Sequence, residues 1–328
     1  MRHDQPLTPT SVLAFLRQSG VLASDEPAVA VALTGGVSNL AFLVRPPGLV
    51  VKQSLDRLDL AAVWHATRER TVTEANALRI ARDLTPAAVP RVIHLDTADC
   101  ILVIEAAPAD WTVLKDELLA GRVDGELMSG LATVLATWHN ATAANPALAA
   151  RCDVPEAFKQ LRTDPFHRTV MERHADLAPL IDECIRELEE PRMCLVHGDF
   201  SPKNILVGRD GFWVIDFEVA HIGNPVFDVA FLLTHLLLKA AHRPDFRGAY
   251  LNAATAFLGT YAALARPELQ SAPDRLAAHV GCLLLARVDG RSPAGYLSPS
   301  EQVEVRDLGR RLLGNPVADV ESMFELAT

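Results

Sequence analysis

The residues with the most chemical content fall in two short groups, His197-Gly198-Asp199-Phe200-Ser201-Pro202-Lys203-Asn204 and Ile215-Asp216-Phe217-Glu218. Leu195-Val196 precedes the first group and Ile205-Leu206-Val207 follows it, while Phe212-Trp213-Val214 leads into the second. The intervening Arg209-Asp210-Gly211 is turn-forming, so the two apolar runs predict a β-hairpin. Such a hairpin sets Asn204, at the start of its first strand, close to Asp216, at the end of its second. Asn and Asp side-chain oxygens held together suit a hard cation such as Mg²⁺. Asp199 stands five residues before Asn204 in the loop ahead of the hairpin, a suitable place for a carboxylate that accepts or orients a hydroxyl proton. Singly, His-Gly-Asp is an ordinary turn and Ile-Asp-Phe an ordinary strand end. Their conjunction, with Asn204 five residues after Asp199 and Asp216 twelve further on, is what points to chemistry.

With these residues the chain resembles the aminoglycoside phosphotransferase and choline kinase superfamily, relatives of the protein kinases. The likeness rests on His197-Gly198-Asp199 with Asn204, on Ile215-Asp216-Phe217-Glu218, and on Asn224-Pro225-Val226-Phe227-Asp228. It extends over about residues 29–236 and weakens beyond them. The resemblance implies that Asp199 is the catalytic carboxylate that orients the acceptor hydroxyl. It implies that Asn204 and Asp216 hold Mg²⁺ on the phosphates of ATP, with Glu218 assisting the metal. Asp228 resembles the carboxylate that braces the catalytic loop from the following helix, and His197 an architectural residue.

Phosphoryl transfer is mostly positioning and charge neutralisation, so a Lys on the phosphates is expected. Lys52 ends the apolar run Leu49-Val50-Val51. Its carboxylate partner is expected on the following helix, read over 63–83, with Glu74 favoured over Glu69. Thr34-Gly35-Gly36-Val37-Ser38-Asn39 lies between two strand-like runs and resembles the Gly-Gly-x-Ser-Asn loop of choline and related kinases. There Gly35 and Gly36 would let backbone N–H groups approach phosphate oxygens, with Ser38 and Asn39 adding polar contacts. The resemblance also implies that the joint near 104–107, at Glu105 and Ala107, presents backbone groups to adenine between Leu33, Val50 and Leu206. Trp111-Thr112-Val113-Leu114-Lys115 reads as ordinary packing or as part of the substrate cleft. Arg287, Asp289 and Arg291 read either as a helix C-terminus or as a wall of the acceptor pocket.

The elements that must position these groups divide into two kinds. A helix is predicted over 9–19, with Thr8 as cap, Pro9 in its first turn and Gly20 at its end. Strands are predicted over 29–33, 40–44, 49–52, 91–95 and 100–105, with the turn Arg45-Pro46-Pro47-Gly48 between the second and third. From 108 onward helical periodicity takes over, at 124–142, 177–189 and from 226 to the end, interrupted by a β-like island over 195–217. The fold class is therefore α+β and two-lobed, and the resemblance implies that it is kinase-like. A five-stranded antiparallel sheet with one key helix forms a nucleotide-binding lobe (1–107), and a mainly helical lobe (108–328) carries the catalytic loop, metal site and acceptor pocket.

The chain has 328 residues, 49% of them apolar and 22% charged, enough to bury a sizeable core. Its formal net charge of −10 argues against a nucleic-acid groove, which needs clustered Lys and Arg. The five cysteines are scattered, with no Cys-x-x-Cys pair, and read as reduced thiols. The most apolar stretch, 226–241, contains Asp228, His235 and Lys239, so it reads as a buried helix rather than a membrane span. A cytoplasmic enzyme with no membrane or nucleic-acid partner is expected, and a homodimer is compatible with the reading. The expected reaction is transfer of the ATP γ-phosphoryl group to a hydroxyl of a sugar, amino alcohol or aminoglycoside-like small molecule. The acidic balance leans to a cationic acceptor, whereas Arg287 and Arg291 suit an acidic one. A protein kinase is disfavoured because only nine residues separate Glu218 from Asp228, too few for a regulated peptide-docking loop, and because Ser201 replaces an expected Lys. A catalytically weak nucleotide-binding module is disfavoured because Lys52, Asp199, Asn204 and Asp216 are all present.

Overall fold

The computed structural model describes residues 6–33, 39–55, 57–58 and 64–327. The helix Pro9–Gln18 opens it, capped by the Thr8 hydroxyl. Strands β1 (Val29–Leu33), β2 (Asn39–Arg45) and β3 (Leu49–Ser54) follow, then the short β4 (Arg57–Leu58) and β5 (Trp64–His65). After the helix Arg70–Leu84 come β6 (Val92–Asp96) and β7 (Ile101–Glu105). One antiparallel sheet runs in the order β1-β2-β3-β7-β6, which is the expected five-stranded sheet. It is half-covered by the opening helix, whose Val12, Phe15 and Leu16 pack on Phe42, Val44, Val51 and Val103.

One boundary differs from expectation. The helix predicted over 63–83 starts at Arg70 instead, because Trp64 and His65 are extended and paired with Leu58 and Arg57. No Gly or Pro marks that change in the sequence, and Trp favours a strand over a helix.

Beyond Glu105 the Ala106 N–H bonds the Gly48 carbonyl at 3.0 Å, which ties the start of the joint to the β2–β3 turn. The remainder is mainly helical. Its largest cluster of apolar side chains gathers around the helix Val226–His242, where every residue from Val226 to Ala240 is buried. The helices Arg247–Leu264, Pro273–Asp289 and Pro299–Gly314 pack around it, and Gly125–Ala143 packs on Arg247–Leu264. Short strands interrupt the helices: β8 (Thr112–Val113), β9 (Cys194–Val196), β10 (Ile205–Gly208), β11 (Gly211–Val214) and β12 (His221–Gly223). The predicted hairpin is β10–β11, with Ile205 opposite Val214 and Gly208 opposite Gly211. Among the described residues, no helix is long and apolar enough to cross a membrane.

Candidate active site

The loop from β9 to β10 is fixed from below. Asp228, in the first turn of the helix Val226–His242, has no exposed surface and accepts the N–H groups of His197 at 2.6 Å and Gly198 at 2.8 Å. Gly198 sits at φ +75°, and a Cβ there would meet the Val219 carbonyl oxygen at 2.8 Å. Only glycine takes that turn without strain. His197 is enclosed: its Nε2 donates to the Ile215 carbonyl (3.2 Å) and its Nδ1 accepts from the Asp199 N–H (3.1 Å). Burial lowers its pKa, so the ring is a neutral spacer that ties the loop to the hairpin's far strand.

Asp199 emerges from this loop nearly enclosed. Its Oδ2 accepts a hydrogen bond from Asn204 Nδ2 at 2.7 Å and is ion-paired with Arg162 Nη2 and Lys203 Nζ, each at 2.8 Å. Burial opposes its charge, but Arg162 and Lys203 more than offset this, and its pKa lies below the usual carboxylate range. All three donors converge on Oδ2. Among the described residues none is within bonding range of Oδ1, which leaves that oxygen to accept a hydroxyl proton. Arg162 comes from a π-helical stretch, Lys159–Arg168, and also donates Nε to the Gly198 carbonyl at 2.8 Å.

The second cluster joins the sheet to the hairpin. Lys52, on β3, places Nζ 2.6 Å from Glu74 Oε1 and 2.6 Å from Asp216 Oδ1. Glu74 lies on the buried face of the helix Arg70–Leu84, whereas Glu69 is exposed at that helix's start. Asp216 adopts φ +71°, a left-handed turn after β11 that swings its carboxylate toward Lys52. Burial works against the charge on Lys52, but Asp216 and then Glu74 outweigh it and drive its pKa upward. Burial likewise opposes ionisation of Asp216, which Lys52 and Lys203 overcome, so its pKa is depressed. One ammonium cannot serve two carboxylates equally. Glu74 is the more enclosed, and burial raises its proton affinity despite Lys52.

Asn204 and Asp216 meet through the backbone, where Ile215 N–H bonds the Asn204 carbonyl at 2.9 Å. The Asn204 amide nitrogen is spent on Asp199, at its carbonyl (3.0 Å) and its carboxylate. That leaves the amide oxygen as the free end, and Asp216 has a second oxygen beyond its bond to Lys52. One amide and one carboxylate oxygen fit Mg²⁺, which keeps few protein ligands and takes phosphate and water for the rest. Glu218, also expected at the metal, instead has one oxygen occupied by Asn39 Nδ2 (2.8 Å) and Arg70 Nε (3.0 Å). Asn39 in turn accepts from Ser54 Oγ at 2.8 Å, so this expected phosphate contact is tied into a network linking β2, β3 and the hairpin's exit. Gly35, Gly36 and Ser38 lie outside the described residues. At the joint, Glu105 N–H bonds the Arg91 carbonyl at 2.9 Å, and Ala107 follows directly after the sheet bonding ends. Val50 and Leu206 are half-buried and Leu33 is 45% exposed.

The expected acceptor wall divides. Asp289 is bonded by both Arg306 (2.8 Å) and His174 (2.9 Å), Arg291 is exposed, and Arg287 turns inward over Phe166. Trp111 packs on Trp213, the ring centroids 5.5 Å apart, and the following Thr112 and Val113 pair with β10. Arg162, Lys203 and Arg70 were not singled out from the sequence. Lys203 carried a signal, four residues after Asp199 in the catalytic segment itself. Arg162 and Arg70 carried none, because their partners are distant in the chain.

A sequence profile described as the phosphotransferase enzyme family matches residues 29–269. A methylthioribose kinase of Geobacillus thermodenitrificans is 27% identical over 270 residues, covering 74% of this chain and 68% of its own. A second from Oryza sativa subsp. japonica is 26% identical, covering 71% of this chain and 63% of its own. Among solved structures, an amicoumacin kinase in complex with AMP-PNP and Ca²⁺ covers 96% of this chain and all of its own, at TM-score 0.58 and 14% identity. An aminoglycoside phosphotransferase covers 98% of this chain and all of its own, at TM-score 0.51 and 17% identity. These structures share the kinase-like fold. With the profile spanning most of the chain, the protein belongs to the phosphotransferase enzyme family.

Proposed function

We propose that the protein transfers the γ-phosphoryl group of ATP, bound with Mg²⁺, to a hydroxyl of a small sugar- or polyol-like acceptor. Residues 1–107 then bind the nucleotide, and 108–328 carry the catalytic loop and acceptor pocket. The observation that carries this reading is Asp199, its Oδ2 clamped by three donors, one of them Asn204, and its Oδ1 open. The naming of the sequence relatives as methylthioribose kinases supports a sugar-like acceptor.

In this mechanism Lys52 is held by Glu74 and takes the nucleotide phosphates. Asn204 and Asp216 would hold the metal, which when bound neutralises charge on the transferring phosphoryl group. Asp199 stays ionised at neutral pH, so its role is to accept a hydrogen bond from the acceptor hydroxyl and set its line of attack, taking the proton late. That suits a loose transition state in which the nucleophile needs little prior activation. Glu218, Asn39 and Arg70 keep the sheet in register with the hairpin. The Ala107 backbone and the half-buried Val50 and Leu206 receive the adenine.

The test is coupled ADP release over a library of sugars, polyols and amino alcohols. Wild type should release ADP only with an acceptor and Mg²⁺, and Asp216→Ala should stay folded and release none. An unchanged Mg²⁺ dependence in Asp216→Ala would remove the metal assignment.

A further inference from the structure

Next to Asp199 the helical region holds cations that form no ion pair with an acid among the described residues. Lys239, on the helix Val226–His242, has 0% of its surface exposed. Its Nζ donates to the His235 carbonyl of its own helix at 3.2 Å and lies 5.7 Å from the Tyr296 ring centroid. Arg287, in the last turn of the helix Pro273–Asp289, donates Nη1 to the carbonyl and hydroxyl of Ser292. Arg287 Nε and the Tyr296 hydroxyl are both buried and, among the described residues, have no hydrogen-bond partner. Among the described residues, no carboxylate forms an ion pair with Lys239 or Arg287, although the chain as a whole is acidic.

This cluster adjoins the proposed reaction centre. Arg287 and Arg162 lie over the same Phe166 ring, 6.0 and 5.6 Å from its centroid, and Arg162 is the residue paired with Asp199. Lys115 and Lys203 add to the positive field on His235, and Lys115 and Arg287 to that on Lys239. Burial, with those two neighbours, lowers the Lys239 pKa to about 7. The acids that face the cluster are engaged elsewhere: Asp199 by its three donors, and Glu301 by His242 at 3.1 Å. Enclosure without a counter-charge disfavours the charged form of Lys239, and a methionine would fill the same space without that penalty. The arrangement makes sense if an anion arrives with a ligand.

We propose that the acceptor alcohol carries a carboxylate or phosphate, received by Arg287 and the Tyr296 hydroxyl, with Lys239 supplying charge from beneath the Tyr296 ring. This rests on the kinase reading of Asp199 and narrows its substrate to anionic alcohols, against cationic amino alcohols and neutral sugars.

The experiment uses matched probes: D-gluconate with gluconamide, ribose 5-phosphate with ribose, and glycerol 3-phosphate with glycerol. Each is measured by thermal shift without nucleotide and by ADP release with ATP and Mg²⁺. The charged member of at least one pair should raise Tm and be turned over at lower KM than its neutral mate. In Lys239→Met and in Tyr296→Phe that preference should fall at least about tenfold, the scale of a lost charge-assisted hydrogen bond, while KM for ATP is unchanged. Lys239→Met should be no less stable than wild type, because it removes an uncompensated buried charge. The proposal is overturned if no pair shows a charge preference or if the preference survives in both variants. It is equally overturned if the whole effect falls on KM for ATP, which would put a nucleotide phosphate in the seat. Anion binding that Lys239→Met abolishes, without ADP release from any acceptor, would refute the kinase reading and keep the anion seat. ADP release indifferent to charge would do the reverse.

Discussion

Replacing Asp228 with Asn tests whether the catalytic loop is held as the structure shows. Each Asp228 oxygen accepts one backbone N–H, from His197 at 2.6 Å and Gly198 at 2.8 Å, and the side chain is fully buried. Asn keeps the shape but offers one acceptor, so one of the two amides must face the new NH₂ group. A buried donor left unsatisfied costs roughly 1–3 kcal/mol, and the remaining bond loses its charge assistance. Asp228→Asn should therefore lose about 1–3 kcal/mol, and Asp228→Ala, which orphans both amides, about 2–6 kcal/mol. Urea unfolding followed by fluorescence reports this, since Trp138 is buried among Phe200 and Phe217 beside the loop. The loosened Gly198 turn should also lower kcat with little change in KM for ATP, because Lys52 and Glu74 are anchored elsewhere. An Asp228→Asn protein within about 0.5 kcal/mol of wild type, with normal kcat, would refute the reasoning.

Gly198→Ala should destabilise by about 1–3 kcal/mol and abolish turnover, because it forces a side chain into the left-handed region against the Val219 carbonyl; equal stability by urea unfolding would mean the loop relaxes freely. His167 is fully buried, neither ring nitrogen has a hydrogen-bond partner among the described residues, and burial, then His279 and Arg168, lowers its pKa to about 3. Between about pH 6.5 and pH 3 the unfolded chain binds a proton that the folded protein refuses, so stability should fall as pH drops through that window. His167→Leu should flatten the decline of Tm by as much as one proton's worth, and an unchanged slope would contradict the assignment.

Much of the sheet was legible because its strands are punctuated. Arg45-Pro46-Pro47-Gly48 separates β2 from β3, and the apolar run Leu49-Val50-Val51 points directly to Lys52. The loop ahead of the hairpin was legible for a related reason: Asp199 and Asn204 lie just before β10 and Asp216 just after β11, so the hairpin's two short strands bring its flanks together. Trp64 and His65 were misassigned to a helix, since their strand pairing depends on Leu58 and Arg57 across a loop. Arg162 and Arg70 could not be found, because their bonds to Gly198 and Glu218 span 36 and 148 residues. Lys239 was visible only as a charge within an apolar run; that no described residue supplies it a counter-ion is a property of packing. The net charge of −10 leans to a cationic acceptor, whereas the proposed anion seat rests on a local cluster, Lys239 and Arg287, that a whole-chain sum does not register.

The central claim is that Asp199 orients the acceptor hydroxyl for attack on ATP. Its most direct test is kcat of Asp199→Asn on the acceptor found by ADP release, with ATP binding measured in parallel. Asn keeps the shape and one acceptor oxygen but turns an NH₂ toward Arg162, Lys203 and Asn204 or toward the substrate. The account predicts a loss of about 10²- to 10⁴-fold in kcat with ATP affinity retained. A variant that turns over at the wild-type rate would contradict it.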